Sequence, residues 1–244
     1  MPASPLRYCA LLLLALGLPA TAGDMAAERA GMVEAVRTSV RETADYTGMA
    51  QLGETVLGAL GRVPRHRFVP REQEPAAYIN SALPIAHGQT ISQPLIVALM
   101  TELLEPRPDS VILEVGTGSG YQAAVLAELV SHVYSVEIVP ELARGAASLL
   151  EELGYDNISV RAGDGYAGWP QHAPFDGIIV TAATTEIPPP LLAQLKPGAK
   201  LVIPLGQHAG YQELMVVEVD ADGEETRRSV LPVRFVPLTG DAER

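Results

Sequence analysis

The hydrophobic pattern changes period along the chain, and each change marks an element. Apolar positions recur at helical spacing from residue 26 to residue 60, which predicts a helical extension ahead of the main fold. A second helical run extends from Pro94 to Leu104. After the turn signal Pro106-Arg107-Pro108-Asp109 the period shortens. Val111 to Val115 is β-branched-rich and reads as a strand, and Gln122 to Val130 returns to helical spacing. The alternation then repeats: Val133 to Val136 ends in Glu137, Leu142 to Leu153 is a core-packing helix, and Asn157 to Arg161 is a third strand. Phe175 to Ala183 is a continuous apolar run of the kind a parallel sheet buries on both faces. Pro188-Pro189-Pro190 opens a short helix toward Lys196, the turn Lys196-Pro197-Gly198 follows, and Lys200 to Leu205 is a fifth strand. Glu213 to Val219 and Ser229 to Val236 flank the turn Asp220-Ala221-Asp222-Gly223 and predict a closing hairpin. The chain is therefore α/β, with a doubly wound, mainly parallel seven-stranded sheet and antiparallel C-terminal strands.

The junction between the first of these strands and its helix carries the candidate chemistry. Leu113-Glu114-Val115-Gly116-Thr117-Gly118-Ser119-Gly120-Tyr121 places an acid and three alternating glycines where a strand becomes a helix. Glycines let the backbone approach a ligand, and the helix start offers unpaired N–H groups, so a nucleotide-like ligand is expected. A dinucleotide fingerprint counted from Gly116 needs its third glycine at position 121, which is Tyr121. The alternate spacing of Gly116, Gly118 and Gly120, led by Glu114, instead resembles motif I of the class I methyltransferases that use S-adenosylmethionine (SAM). On the loop alone, a plain strand-helix turn without a ligand stays open.

Two further strands end in acids. Glu137 stands where a carboxylate would accept from both hydroxyls of a ribose, although an acid just before Pro140 is also an ordinary solvent-facing helix start. Asp164, between Gly163 and Gly165, is placed to accept from an adenine amino group, although Asp between glycines is also a turn former.

Segments outside the loop make the resemblance specific. Val63-Pro64-Arg65-His66-Arg67-Phe68-Val69-Pro70, Ala82-Leu83-Pro84-Ile85 and Gly88-Gln89-Thr90-Ile91-Ser92-Gln93-Pro94 resemble the amino-terminal signature of the protein-L-isoaspartate O-methyltransferases. Gly163-Asp164-Gly165, Pro174-Phe175-Asp176, Leu195-Lys196-Pro197-Gly198 and Arg234-Phe235-Val236-Pro237-Leu238 match the same family in the same order, over roughly residues 50 to 240. The resemblance implies a class I methyltransferase fold and SAM-dependent methylation of the free carboxyl of L-isoaspartyl residues in damaged proteins and peptides. It implies SAM contacts for Glu114, Gly116, Thr117, Gly118, Gly120, Glu137, Asp164 and Gly165, and no metal. It places Ser92 beside the reacting carboxylate, with Ile91 and Pro204 as walls of the substrate cleft.

No catalytic His or Cys is needed for such a transfer, because a carboxylate with a reference pKa of about 3.9 is ionised at neutral pH. Ser92 also reads as an N-cap for the helix that begins near Pro94. His66 and His172 read as solvated, contact of His87 with substrate is open, and Trp169 reads as packing. Two other functions stay open on sequence alone. One is a methyltransferase with another carboxylate or hydroxyl acceptor, and the other is a non-catalytic SAM- or nucleoside-binding module.

The chain has 244 residues, enough for one domain, and a formal net charge of −12, which argues against nucleic acid or an anionic membrane as partner. Arg7, the apolar stretch Cys9 to Leu18 and Ala20-Thr21-Ala22 resemble a secretory signal over residues 1–22, leaving 23–244 as a single methyltransferase domain. That stretch is too short to span a membrane. SAM supply and the family resemblance point to the cytoplasm instead, with translation from Met25 or Met32 as another account; the signal-like segment keeps a periplasmic or secreted location open.

Overall fold

The computed structural model describes residues 22–207, 210–220 and 222–240. Three helices lead: α1 (Ala22–Glu42), α2 (Ala44–Thr47) and α3 (Glu54–Arg62). The two-residue strands β1 (Leu83–Pro84) and β2 (Thr90–Ile91) pair as an antiparallel ribbon ahead of α4 (Pro94–Leu104). Then follow β3 (Val111–Val115), α5 (Tyr121–Ala127), β4 (His132–Glu137), α6 (Pro140–Glu152), β5 (Ile158–Ala162) and β6 (Phe175–Val180). The chain continues through α7 (Pro189–Leu192), β7 (Leu195–Gly206), β8 (Gln212–Val219) and β9 (Glu225–Val233). The seven main strands lie in the order β5-β4-β3-β6-β7-β8-β9, parallel from β5 to β7 and antiparallel beyond. This is the doubly wound sheet expected from the sequence.

Strand periodicity divides the core between the two faces of the sheet. Ile112, Ile179 and Val202 pack with α1, α3, α4 and α5, whereas Leu113, Val115, Ile178, Val180, Leu201 and Ile203 pack with Leu191 of α7 and with Leu238. Central β3 is hidden on both sides, with Glu114 the one charged residue in it. The predicted helical extension is α1 to α3, which contributes Met32, Val36, Val40, Val56, Leu57 and Leu60 to the first core.

Some boundaries differ from the sequence reading. The expected turn Lys196-Pro197-Gly198 is a bulge inside one continuous strand. Leu195 pairs with Phe175 and Lys200 with Gly177, so the extra residues are extruded while both sides stay on the sheet. Asp176 anchors this end, accepting from Val111 N at 2.9 Å and Lys196 Nζ at 2.8 Å. The last strand starts four residues early, at Glu225, because the 220–224 turn closes tightly, with Asp220 N donating to Glu224 O at 3.1 Å. His172 is exposed, as the sequence suggests, and one face of its ring stacks on Tyr134 at 3.9 Å, beside Trp169, whose own ring lies 4.4 Å from the Arg161 guanidinium carbon. His66 Nδ1 shares a hydrogen bond with the Tyr78 hydroxyl at 2.7 Å. The signal-like reading of residues 1–22 falls outside the described residues except for Ala22, where α1 begins. Among the described residues no helix is long and apolar enough to cross a membrane.

Candidate active site

Because β3, β4, β5 and β6 are parallel and in register, their carboxyl ends share one edge of the sheet, where open α/β sheets bind ligands. A cleft opens along that edge. It brings together the predicted residues Ile91, Ser92, Gly116, Thr117, Gly118, Glu137 and Gly165.

The glycine loop is shaped by close contacts. Gly116 has φ +98°, and a Cβ there would run into Thr181 Oγ1, which itself donates to Gly116 O at 2.5 Å. Gly120 has φ +89° and heads α5, and it does not line the cleft. A Cβ on it would press on Leu150 at 3.2 Å, so this glycine lets α5 approach α6. Thr117 is held from below: Ser135 Oγ donates to Glu114 Oε2, which leaves the Thr117 hydroxyl to donate to Ser135 Oγ at 2.5 Å.

The two motif acids occupy different environments. Glu137 is only 5% exposed yet lines the cleft, and both its oxygens accept backbone bonds, Oε2 from Gly118 N at 2.8 Å and Oε1 from Val139 N at 3.0 Å. Each oxygen keeps a second lone pair for a ligand hydroxyl. Glu114 lies fully buried under the loop. Burial pushes its carboxyl up to about 8, the Ser135 hydrogen bond works against the rise, and the Glu137 charge adds to it.

Besides Glu114 and Gly120, two more predicted positions stand off the cleft lining. Asp164 is not among the lining residues; its Oδ1 accepts from Tyr166 N at 2.9 Å and heads the short Gly165–Ala167 turn. Pro204 is buried in β7, with its carbonyl accepting from Thr184 N at 3.2 Å, and it does not reach the cleft. The capping reading of Ser92 also changes. The N-cap of α4 is Gln93, and the side chain that caps the helix comes from Asn80, whose Oδ1 accepts from Leu95 N at 3.0 Å. Ser92 is thereby left to face the cleft.

The lining contains one carboxylate, Glu137, and no lysine or arginine. That composition suits SAM, a cationic sulfonium with ribose hydroxyls, and gives a pyrophosphate no cation to pair with. Among the described residues no group of three or more His, Cys, Asp or Glu side chains is placed to hold a metal ion.

The profile of the protein-L-isoaspartate (D-aspartate) O-methyltransferase family matches residues 42–243. The chain belongs to this family. It is 54% identical over 232 residues to protein-L-isoaspartate O-methyltransferase 2 of Syntrophobacter fumaroxidans, covering 94% of each chain. It is 56% identical over 209 residues to the enzyme of the same name from a Polaromonas species, covering 86% of this chain and 99% of that one. Among solved structures, a protein-L-isoaspartate O-methyltransferase superposes with a TM-score of 0.74 at 26% identity, over 86% of this chain and 66% of that one. A Plasmodium falciparum structure in complex with S-adenosylhomocysteine shares the fold, with a TM-score of 0.70 at 24% identity, over 86% and 97%.

Further residues complete the isoaspartate methyltransferase cleft. Thr181 follows β6 at the same sheet edge as Glu137, and the strand-end rule was the available signal for it. Tyr121 and the segment Val236 to Thr239 also line the cleft. The latter is held by Leu238 N donating to Ala183 O at 2.7 Å and by the Tyr166 hydroxyl donating to Leu238 O at 3.1 Å. Val236-Pro237-Leu238 belong to the closing family-like segment of the sequence, but their place in the cleft rests on these long-range contacts.

Proposed function

We propose that this cleft carries out methyl transfer from SAM to the free carboxyl of L-isoaspartyl residues in proteins and peptides. The methyl ester then collapses through a succinimide toward normal aspartate. The observation that carries the reading is a juxtaposition: Ile91 and Ser92 form one wall of the same cleft whose other wall is the Gly116–Gly118 loop and Glu137. Bound SAM supplies a methyl group on a sulfonium leaving group. Glu137 accepts from the ribose hydroxyls, and the glycine loop passes close to the ligand backbone. The Ser92 hydroxyl, free of any helix-capping bond, donates to the acceptor carboxylate and orients one oxygen toward the methyl carbon. Ile91, which is buried, excludes water beside it. No residue is asked to remove a proton, because the attacking carboxylate is already ionised. The contribution of the chain is positioning and desolvation.

Asp164, next to Gly165 of the cleft lining, is assigned to the adenine side, and the compartment of action to the cytoplasm. Transfer of labelled methyl to an L-isoaspartyl peptide, with release of S-adenosylhomocysteine, tests the reading.

A further inference from the structure

Arg65 is the largest side chain with no solvent exposure among the described residues. It belongs to the Val63–Pro70 segment, which the transfer chemistry above does not use. A guanidinium keeps its charge in a protein, and burying a charge is costly unless it is fully engaged. No carboxylate lies within ion-pair distance of Arg65 among the described residues. Its partners among the described residues are three carbonyl oxygens and a ring, while Nη1 is buried without a hydrogen-bond partner. Nε donates to Ala77 O at 2.9 Å, and Nη2 donates to Ser81 O at 3.3 Å and to Ser92 O at 2.8 Å. The guanidinium carbon stands 4.6 Å from the centroid of the Tyr121 ring, a cation–π distance.

These partners are not scattered. Ala77, Ser81 and Ser92 span the segment that leads into the acceptor wall, whose regular structure is limited to two short strands and a 3-10 turn. Tyr121 is the first residue of α5, directly after the glycine loop, and it lines the cleft. One rigid side chain therefore spans the wall that holds Ser92 and the element that starts at the SAM loop. The planar fork of a guanidinium suits this bridging. It donates to several carbonyls in one plane while its face covers an aromatic ring, and a lysine cannot do both.

We propose that Arg65 is a positioning residue for methyl transfer, fixing Ser92 relative to the start of α5 and hence the acceptor carboxylate relative to the methyl donor, without touching either. The proposal rests on the assignment of the cleft to this reaction. A misplacement of about 1 Å can cost on the order of a hundredfold in rate. Loss of this tether therefore lowers turnover while leaving the loop and Glu137 able to bind the nucleoside.

The test uses the full chain with Arg65→Lys, and with Arg65→Gln, which removes the buried charge and keeps a donor. Four quantities are measured: kcat and KM for an L-isoaspartyl peptide, S-adenosylhomocysteine affinity by calorimetry, melting temperature, and amide hydrogen exchange across residues 88–95. The expected result is a folded variant with kcat/KM for the peptide lowered tenfold or more, nucleoside affinity within about threefold, and faster exchange confined to 88–95. Unchanged kcat/KM and exchange in a folded variant overturns the proposal. So does a loss of activity matched by an equal loss of nucleoside affinity, and so does failure of both variants to fold, which would assign Arg65 to the fold alone. Exchange is read without turnover. An inactive wild-type chain would thus defeat the acceptor assignment, while the Arg65 tether would still be judged on exchange.

Discussion

Glu137 Oε2 accepts the Gly118 amide at 2.8 Å, so the acid that ends β4 and the loop that follows β3 form one unit before any ligand arrives. The arrangement fixes the carboxylate where ribose hydroxyls can reach its remaining lone pairs. Glu137→Ala removes both the acceptor and the brace on the loop. The expected loss of SAM affinity corresponds to about 1–3 kcal/mol for hydrogen bonds to a charged group. Calorimetry with SAM and S-adenosylhomocysteine checks it, and NAD should give no heat, since Tyr121 stands where a dinucleotide fingerprint needs its third glycine.

Ser92→Ala should lower turnover on an L-isoaspartyl peptide roughly five- to a hundredfold, from the same range of hydrogen-bond energies, and leave SAM affinity nearly unchanged. The helix should not suffer, because Asn80 caps α4. A steady-state comparison with wild type, paired with SAM titration, separates the roles. Parallel losses of affinity and turnover would place Ser92 on the cofactor side.

Glu114 makes stability depend on pH. Its folded pKa of about 8 lies above the ordinary 4.5, so folding favours the protonated form. The contribution is fully present below pH 4.5 and is lost as pH rises through 8, at about 1.4 kcal/mol per unit of difference. Glu114→Gln removes this titration at nearly constant volume. Between pH 5 and pH 8.5 the melting temperature of the SAM-free protein should therefore fall more for wild type than for the variant. Equal falls would show that Glu114 is charged in the folded state.

Much of this architecture is legible in the chain. Val111–Val115 is bounded as expected, because a proline-rich turn precedes it and a glycine follows it, and both signals are local. Glu137 and Gly116 were readable for the same reason, since strand ends and alternating glycines mark themselves. The Lys196–Gly198 bulge was not readable. Proline and glycine announce a turn, but pairing of Leu195 with Phe175 holds the strand through it. Ser92 read as a cap because its neighbours fit one, and the competing cap, Asn80, lies fifteen residues from Leu95. Pro204 sits two residues from Gly206 near a strand end, yet its burial in β7 keeps it from the cleft.

Location is a separate prediction. Residues 1–22 resemble an export signal, while a SAM-dependent enzyme needs a cytosolic methyl supply. Fractionation of cells expressing the gene, with mass spectrometry of the amino-terminal peptide, should find the chain in the cytosol beginning at Met1, Met25 or Met32. A periplasmic chain beginning at Gly23 would contradict this.

Every role given to Ser92, Glu137 and Arg65 depends on methylation of an isoaspartyl carboxyl in this cleft. That reaction is checked by offering labelled SAM to a peptide containing L-isoaspartate and to its twin containing L-aspartate. The first peptide should be labelled, in a product that is base-labile as expected for a methyl ester, and the second should not. Equal labelling of both peptides, or SAM binding with no transfer to the L-isoaspartyl peptide, would refute the assignment.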